Sequence, residues 1–107
     1  MSVKYGCKAF DWKGDINWSY DVREVVLTDS TIAIDWTEGV DWHGHLHGST
    51  ADGLHFQGRY SYKESRTEGG NFSLTRFLGG QEILLFGTYH SDDDKYVGDW
   101  LFHLTPR

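Results

Sequence analysis

One cysteine, one proline and one methionine in 107 residues set the first limits on this chain. A lone Cys7 cannot form an internal disulfide, so the core must stand without a staple, and a chain of this length is large enough to build one. The opening stretch "MSVKYGCKAF" has no long apolar run of the signal-peptide kind, which together with the single thiol points to a reducing cytoplasmic setting. No stretch approaches the roughly 20 apolar residues that a spanning helix needs, so no membrane association is expected. Basic residues are also scarce, with 10 Lys and Arg against 16 Asp and Glu and a net charge of -6. Without a Lys/Arg cluster to offset phosphate repulsion, nucleic acid is excluded as a partner. The chain has no G-x-S-x-G elbow, no phosphate-binding glycine loop and no C-x-x-C pair, so catalysis has no positive signal, the balance leans against an enzyme, and no cofactor is expected.

Glycine and aromatic residues are abundant instead: thirteen Gly, five Trp, six Tyr and six Phe. Glycine weakens helices and aromatics suit pleated surfaces, so the balance favours β structure. From Val40 onward apolar residues alternate with period two, which predicts strands near 42–48, 54–62, 71–78, 82–90 and 95–104. Turn chemistry separates them: "STADG" at 49–53, "ESRTEGG" at 64–70, "LGGQ" at 78–81 and "SDDD" at 91–94. Short connections make successive strands antiparallel neighbours. In the first half, "KYGCKAFDW" and "STIAIDW" read as strands. "INWSYDVREVVL" has Ile16, Tyr20 and Leu27 near one helical face, but its Trp, Tyr and Val content favours a strand.

A word of the form apolar–x–Gly–x–apolar occurs four times: "WHGHL" at 42–46, "FQGRY" at 56–60, "LFGTY" at 85–89 and "YVGDW" at 96–100. A three-residue loop within "STADG" would set Gly44 against Gly58, Trp42 against Tyr60 and Leu46 against Phe56. A four-residue "SDDD" loop would set Gly87 against Gly98, Tyr89 against Tyr96 and Leu85 against Trp100. Glycine at mid-strand implies sharp curvature, or room for an aromatic ring to lie on backbone. A curled meander of seven or eight short strands follows: an all-β, single-domain, antiparallel barrel over residues 1–107, of a size that side chains fill or that leaves room for one small ligand.

"WHGHLHG", "FQGRY" and "YVGDWLFHL" resemble the glycine-and-aromatic strand patterns of calycin-type barrels, the avidin and lipocalin-like group of up-and-down barrels, over residues 36–104. The resemblance implies a barrel with a small-molecule site at one end. Only the architecture carries over, because the lipocalin disulfides are missing and no stretch here maps onto the biotin-contacting residues of avidin.

The histidines invite a metal reading. If Trp42, Gly44 and Leu46 face inward, then His43, His45 and His47 face outward. Strand residues two apart lie about 7 Å from each other and residues four apart about 13 Å, so one ion can join His45 and His47 but not His43 and His47. The expected register brings His55 opposite His47, making His45, His47 and His55 the one candidate trio, and a metal-dependent enzyme there is the least favoured reading. A solvated outer face or an oligomer contact is the plainer one. Asp92–Asp93–Asp94 lacks the spacing and glycine of a calcium loop and reads as a hairpin tip. Trp18, Trp36, Trp42 and Trp100 could stack on a ligand, although aromatics at strand period are usually core.

With Gly79–Gly80 as a two-residue turn, Arg76 opposes Ile83 and points inward, where its planar fork suits a carboxylate or phosphate, unless it simply closes the barrel end. The expected function is therefore a non-catalytic binding module for a small ligand, anionic if Arg76 anchors it, with Trp42, Tyr60, Tyr89 and Trp100 as walls. The alternative is an acidic protein-interaction or inhibitor module. Phe86, Val97 and Leu101 on the outer face of the last hairpin suggest a homodimer through residues 82–104.

Overall fold

The structure, a computed structural model, describes residues 5–13 and 16–106. Eight strands follow one another: β1 (Tyr5–Lys13), β2 (Ile16–Leu27), β3 (Thr31–Glu38), β4 (Trp42–Ser49), β5 (His55–Tyr62), β6 (Ser65–Gly79), β7 (Glu82–Ser91) and β8 (Val97–Pro106). Each is antiparallel to the next, and β8 returns to pair with β1 from Tyr5↔Pro106 to Trp12↔Asp99, closing the sheet. The expected meander barrel is therefore present, with eight strands. Among the described residues no helix is long and apolar enough to cross a membrane.

The stretch with the helix-like spacing is β2, interrupted by a bulge between Val22 and Glu24. The bulge inserts a residue into the alternation, so that Tyr20 and Val22 before it and Val25 and Leu27 after it all pack against the core. A second irregularity at Ser61/Tyr62 corrects another expectation. "ESRTEGG" is not a loop: β6 begins at Ser65, and Gly69 and Gly70 pair with Ser61 and Tyr60. A Cβ on Gly70 would lie 2.0 Å from the His90 carbonyl oxygen, so glycine serves close strand approach here rather than a turn.

The strand registers differ from expectation while the faces do not. In the β4–β5 hairpin Gly48, not Gly44, opposes Gly58, and Leu46, not Trp42, opposes Tyr60. The cause is a longer turn: Thr50 Oγ1 accepts from the Gly53 amide at 3.0 Å, and Asp52 Oδ1 accepts from the amides of Leu54 and His55 at 2.8 Å each. In the β7–β8 hairpin Tyr89 opposes Gly98 and Gly87 opposes Trp100, because the turn extends to Tyr96, whose carbonyl accepts from Ser91 N at 2.8 Å. In the β6–β7 hairpin Gly80, at φ +63, and Gln81 form the turn, so Arg76 opposes Leu85 instead of Ile83. Glycine thus faces an aromatic ring rather than another glycine in the last hairpin, and Gly44 likewise lies against Trp36 and opposite Tyr62.

The inward residues fill the barrel in two unlike halves. Around the end that holds the 28–30, 50–54 and 80–81 connections, Ile32, Ile34, Leu46, Leu74, Leu85 and Leu104 form an aliphatic layer with Phe56. Beyond it lies an aromatic layer centred on Trp100, which stacks on Tyr89 at 4.6 Å and meets Tyr60 and Trp36 edge-on at 5.0 and 5.5 Å between ring centroids. Cys7 sits in the β1–β8 seam opposite Leu104, and burial pushes its thiol up to about 12.

Candidate functional site

Above Trp100 the barrel is open, and a cavity of about 510 Å³ occupies that mouth, within the roughly 300–1,000 Å³ range of small-molecule sites. Of the three carboxylates that line it, Glu68 comes from β6 and the other two enter by strand alternation. Asp11 follows Ala9 on the inner face of β1 and is only 5 % exposed, while Glu38 follows Ile32, Ile34 and Trp36 on the inner face of β3. The Tyr20 hydroxyl donates to Asp11 Oδ2 at 2.9 Å and the Tyr89 hydroxyl to Oδ1 at 2.6 Å. Glu38 Oε1 accepts from the Tyr62 hydroxyl at 3.0 Å and from Trp36 Nε1–H at 3.2 Å.

Electrostatics follow from this geometry. Burial, with Asp11 nearby, raises the Glu38 carboxyl above its ordinary value despite those hydrogen bonds. Burial and then the neighbouring carboxylates hold the Tyr20, Tyr62 and Tyr89 phenols above theirs, so each keeps its proton and donates. No lysine, arginine or histidine lines the cavity among the described residues. The mouth is a negative, aromatic-walled cup.

Of the residues expected to form a site, Tyr60 and Tyr89 line this cavity, and Trp42 stands at its rim, 41 % exposed and edge-on to Tyr62 at 5.6 Å. Trp42 is therefore not the inner partner of Tyr60 that the expected register made it. Trp100 and Trp36 are buried core beneath the cup. The Trp18 side chain lies outside the described residues.

Arg76 faces inward but at the opposite end. Its amide donates to the Leu54 carbonyl at 2.8 Å and its guanidinium carbon lies 5.8 Å from the Phe56 ring centroid. Its Nε is buried without a hydrogen-bond partner among the described residues. On β6 the partner of Tyr60 is Gly70, and the strand rises about 20 Å from there to Arg76, so Arg76 cannot share a small ligand with Tyr60 and Tyr89.

His43, His45 and His47 do face outward, yet the trio with His55 is not assembled. The shifted register puts Arg59 opposite His47 and Ser61 opposite His45, and His55 instead opposes Thr75 of β6. Among the described residues no three His, Cys, Asp or Glu side chains gather as a metal site. Five histidines each contact a carboxylate of their own: His43 with Glu64 at 2.8 Å, His55 with Asp52 at 2.7 Å, His103 with Glu82 at 3.2 Å, and His45 and His90 with Asp35 and Asp94. The aspartates of the 91–96 turn are likewise engaged, Asp92 by Arg59 and Asp93 by Ser91 and the Lys95 amide.

Sequence reasoning missed Asp11, Tyr20, Glu38 and Tyr62. A signal for Glu38 was present, since it continues the period-two series Ile32–Ile34–Trp36. Asp11 was harder: in "AFDW" the large Phe10 and Trp12 point outward and the carboxylate points in, the reverse of what hydrophobicity suggests. No protein-family model, curated protein or solved structure matches the chain.

Proposed function

We propose that this protein is a non-catalytic binding module, a calycin-like barrel in a reducing compartment, that takes a small organic cation in its open end. The observation that supports this reading is the pairing of Asp11 and Glu38 within one aromatic cup that has no basic side chain among its described lining residues. Two opposite unit charges 4 Å apart near a protein surface attract by about 4 kcal/mol, and tyrosine and tryptophan faces add to the attraction for a cation. The residue that suggested an anionic ligand, Arg76, stands at the other end, so the charge of the ligand is reversed from the sequence expectation. Isothermal titration and thermal unfolding with benzylammonium and benzoate test the reading. Benzylammonium should bind and raise the Tm of the wild type, and should do neither for Asp11→Asn. Binding of benzoate with benzylammonium inert would sink the proposal.

A second reading concerns the outer surface. The apolar strip expected on the last hairpin extends across four strands: Phe77 pairs with Leu84, Phe86 with Leu101, and Leu101 with Phe10, which stacks on Trp12 at 6.0 Å. Phe77 and Phe86 are 52 % and 43 % exposed. A closed barrel has no free edge for strand addition, so association must use a face, and this strip favours a second copy of the chain. Light scattering after size exclusion should show a concentration-dependent dimer that Phe86→Ser abolishes. A monomer at millimolar concentration would refute it.

A further inference from the structure

The hydrogen-bond polarity of the mouth restricts the ligand more narrowly than charge does, and this step rests on the cation reading of the same cavity. Three of its phenols have already committed their protons, Tyr20 and Tyr89 to Asp11 and Tyr62 to Glu38. A hydroxyl whose proton is engaged offers an incoming group only oxygen lone pairs, and a carboxylate likewise accepts. The two carboxylates and these three phenols are thus acceptors. Rings alone do not form an open cage either: Tyr60 meets Tyr62 and Tyr89 edge-on, at interplanar angles of 87° and 89°, so much of their faces is spent on one another.

Tyr60 supplies the independent sign of a ligand. It is 5 % exposed and lines the cavity directly over Trp100, and its hydroxyl has no hydrogen-bond partner among the described residues. Burial raises this phenol too, so it remains a neutral hydroxyl with both lone pairs available. Packing holds the ring in place while its oxygen stays open to the cavity, so the hydroxyl is a fixed polar group available to whatever enters.

We propose that the cavity selects organic cations that carry N–H bonds, a primary ammonium or a guanidinium, over quaternary ammonium ions of the same charge. The head group donates to the free lone pairs of Asp11 and Glu38 and to the Tyr60 hydroxyl, forming charge-assisted hydrogen bonds. A trimethylammonium head would press methyl groups against the same lone pairs and leave all of them unmatched.

The test is a titration of the full chain at pH 7.5, by calorimetry and by tryptophan fluorescence, with benzylammonium, benzylguanidinium, benzyltrimethylammonium and benzyl alcohol. The two N–H donors should bind at least tenfold more tightly than the trimethyl compound, and the alcohol should not bind. Tyr60→Phe, which removes only the hydroxyl, should lower benzylammonium affinity several-fold and leave the trimethyl compound unchanged. The selectivity of the wild-type protein decides the question even if that variant misfolds. Equal or tighter binding of the trimethyl compound overturns the N–H requirement and leaves the cation reading standing. Failure of all three cations to bind overturns both.

Discussion

A Cβ placed on Gly44 would lie 2.2 Å from Cε2 of Trp36, an indole that is fully buried and cannot retreat, whereas one placed on Gly79 would meet nothing within 4 Å. Gly44→Ala should therefore destabilise the barrel by about 1–3 kcal/mol through overpacking. Gly79→Ala should stay within about 0.5 kcal/mol of wild type. Urea unfolding midpoints compare the two, and equal losses would show that Trp36 yields freely. Glu38 makes a different point at the same scale. Its carboxyl is raised by burial, so the folded state holds that proton more tightly than the unfolded chain does. Stability contributed by the neutral form is present at low pH and is lost as pH rises from the ordinary carboxylate value through the raised one. Glu38→Gln should thus raise the Tm at pH 7.5 while weakening benzylammonium binding, with the Tm gain fading toward pH 4. A variant that loses both stability and binding at pH 7.5 would assign Glu38 a structural role.

At the scale of strands and turns, the β4–β5 connection sets its register through Asp52, whose carboxylate takes the Leu54 and His55 amides and the His55 ring. Those hydrogen bonds hold the Asp52 carboxyl well below the usual range, led by the one from the His55 side chain. A carboxyl lowered by folding contributes stability above its unfolded value, and loses it as pH falls through the folded one. The Tm difference between wild type and Asp52→Asn should be largest near neutrality and shrink on acidification below pH 4; a difference independent of pH would mean the carboxylate charge is immaterial. The same turn explains what was legible beforehand. Alternation names the buried face of each strand, and the inner and outer assignments from β4 to β8 follow from it, except that Trp42 stands exposed at the rim and Tyr96 lies exposed in the turn before β8. Alternation is blind to slips of two or four residues, because these return each side chain to its own face. Turn length alone settles the register, and the side-chain hydrogen bonds of Thr50 and Asp52 lengthen a turn that glycine spacing suggests is short. The His45–His47–His55 trio failed for that reason, since it depended on register, whereas the outward direction of His45 and His47 depended only on face. The mouth was half legible: Tyr60 and Tyr89 came from the repeated words, and Glu38 extends the alternation of β3, while Asp11 reverses the hydrophobic pattern of its strand.

The whole molecule depends on one long-range pairing. Local hairpins join seven neighbouring strand pairs, but β1 and β8 meet from opposite ends of the chain, with Tyr5 against Pro106. Loop-closure entropy must be met before that pairing yields anything, so folding should be slow for the size of the chain, in the millisecond to second range. Removing residues 97–106 should abolish cooperative unfolding altogether, because both β1 and β7 would then expose an unpaired edge and the aromatic layer would lose Trp100. A sigmoidal urea transition in that truncated chain would show that seven strands suffice.

Cys7 makes the closing seam its own clock. Its thiol is masked twice over, by position opposite Leu104 and by a pKa held near 12, so alkylating reagents have almost no thiolate to attack while β1 and β8 stay joined. Each unzipping of that pair restores an ordinary thiol to solvent. The labelling rate of the single cysteine therefore counts seam openings one molecule at a time, under native conditions and without any engineered probe, and a ligand seated in the cup beside Asp11 should slow it.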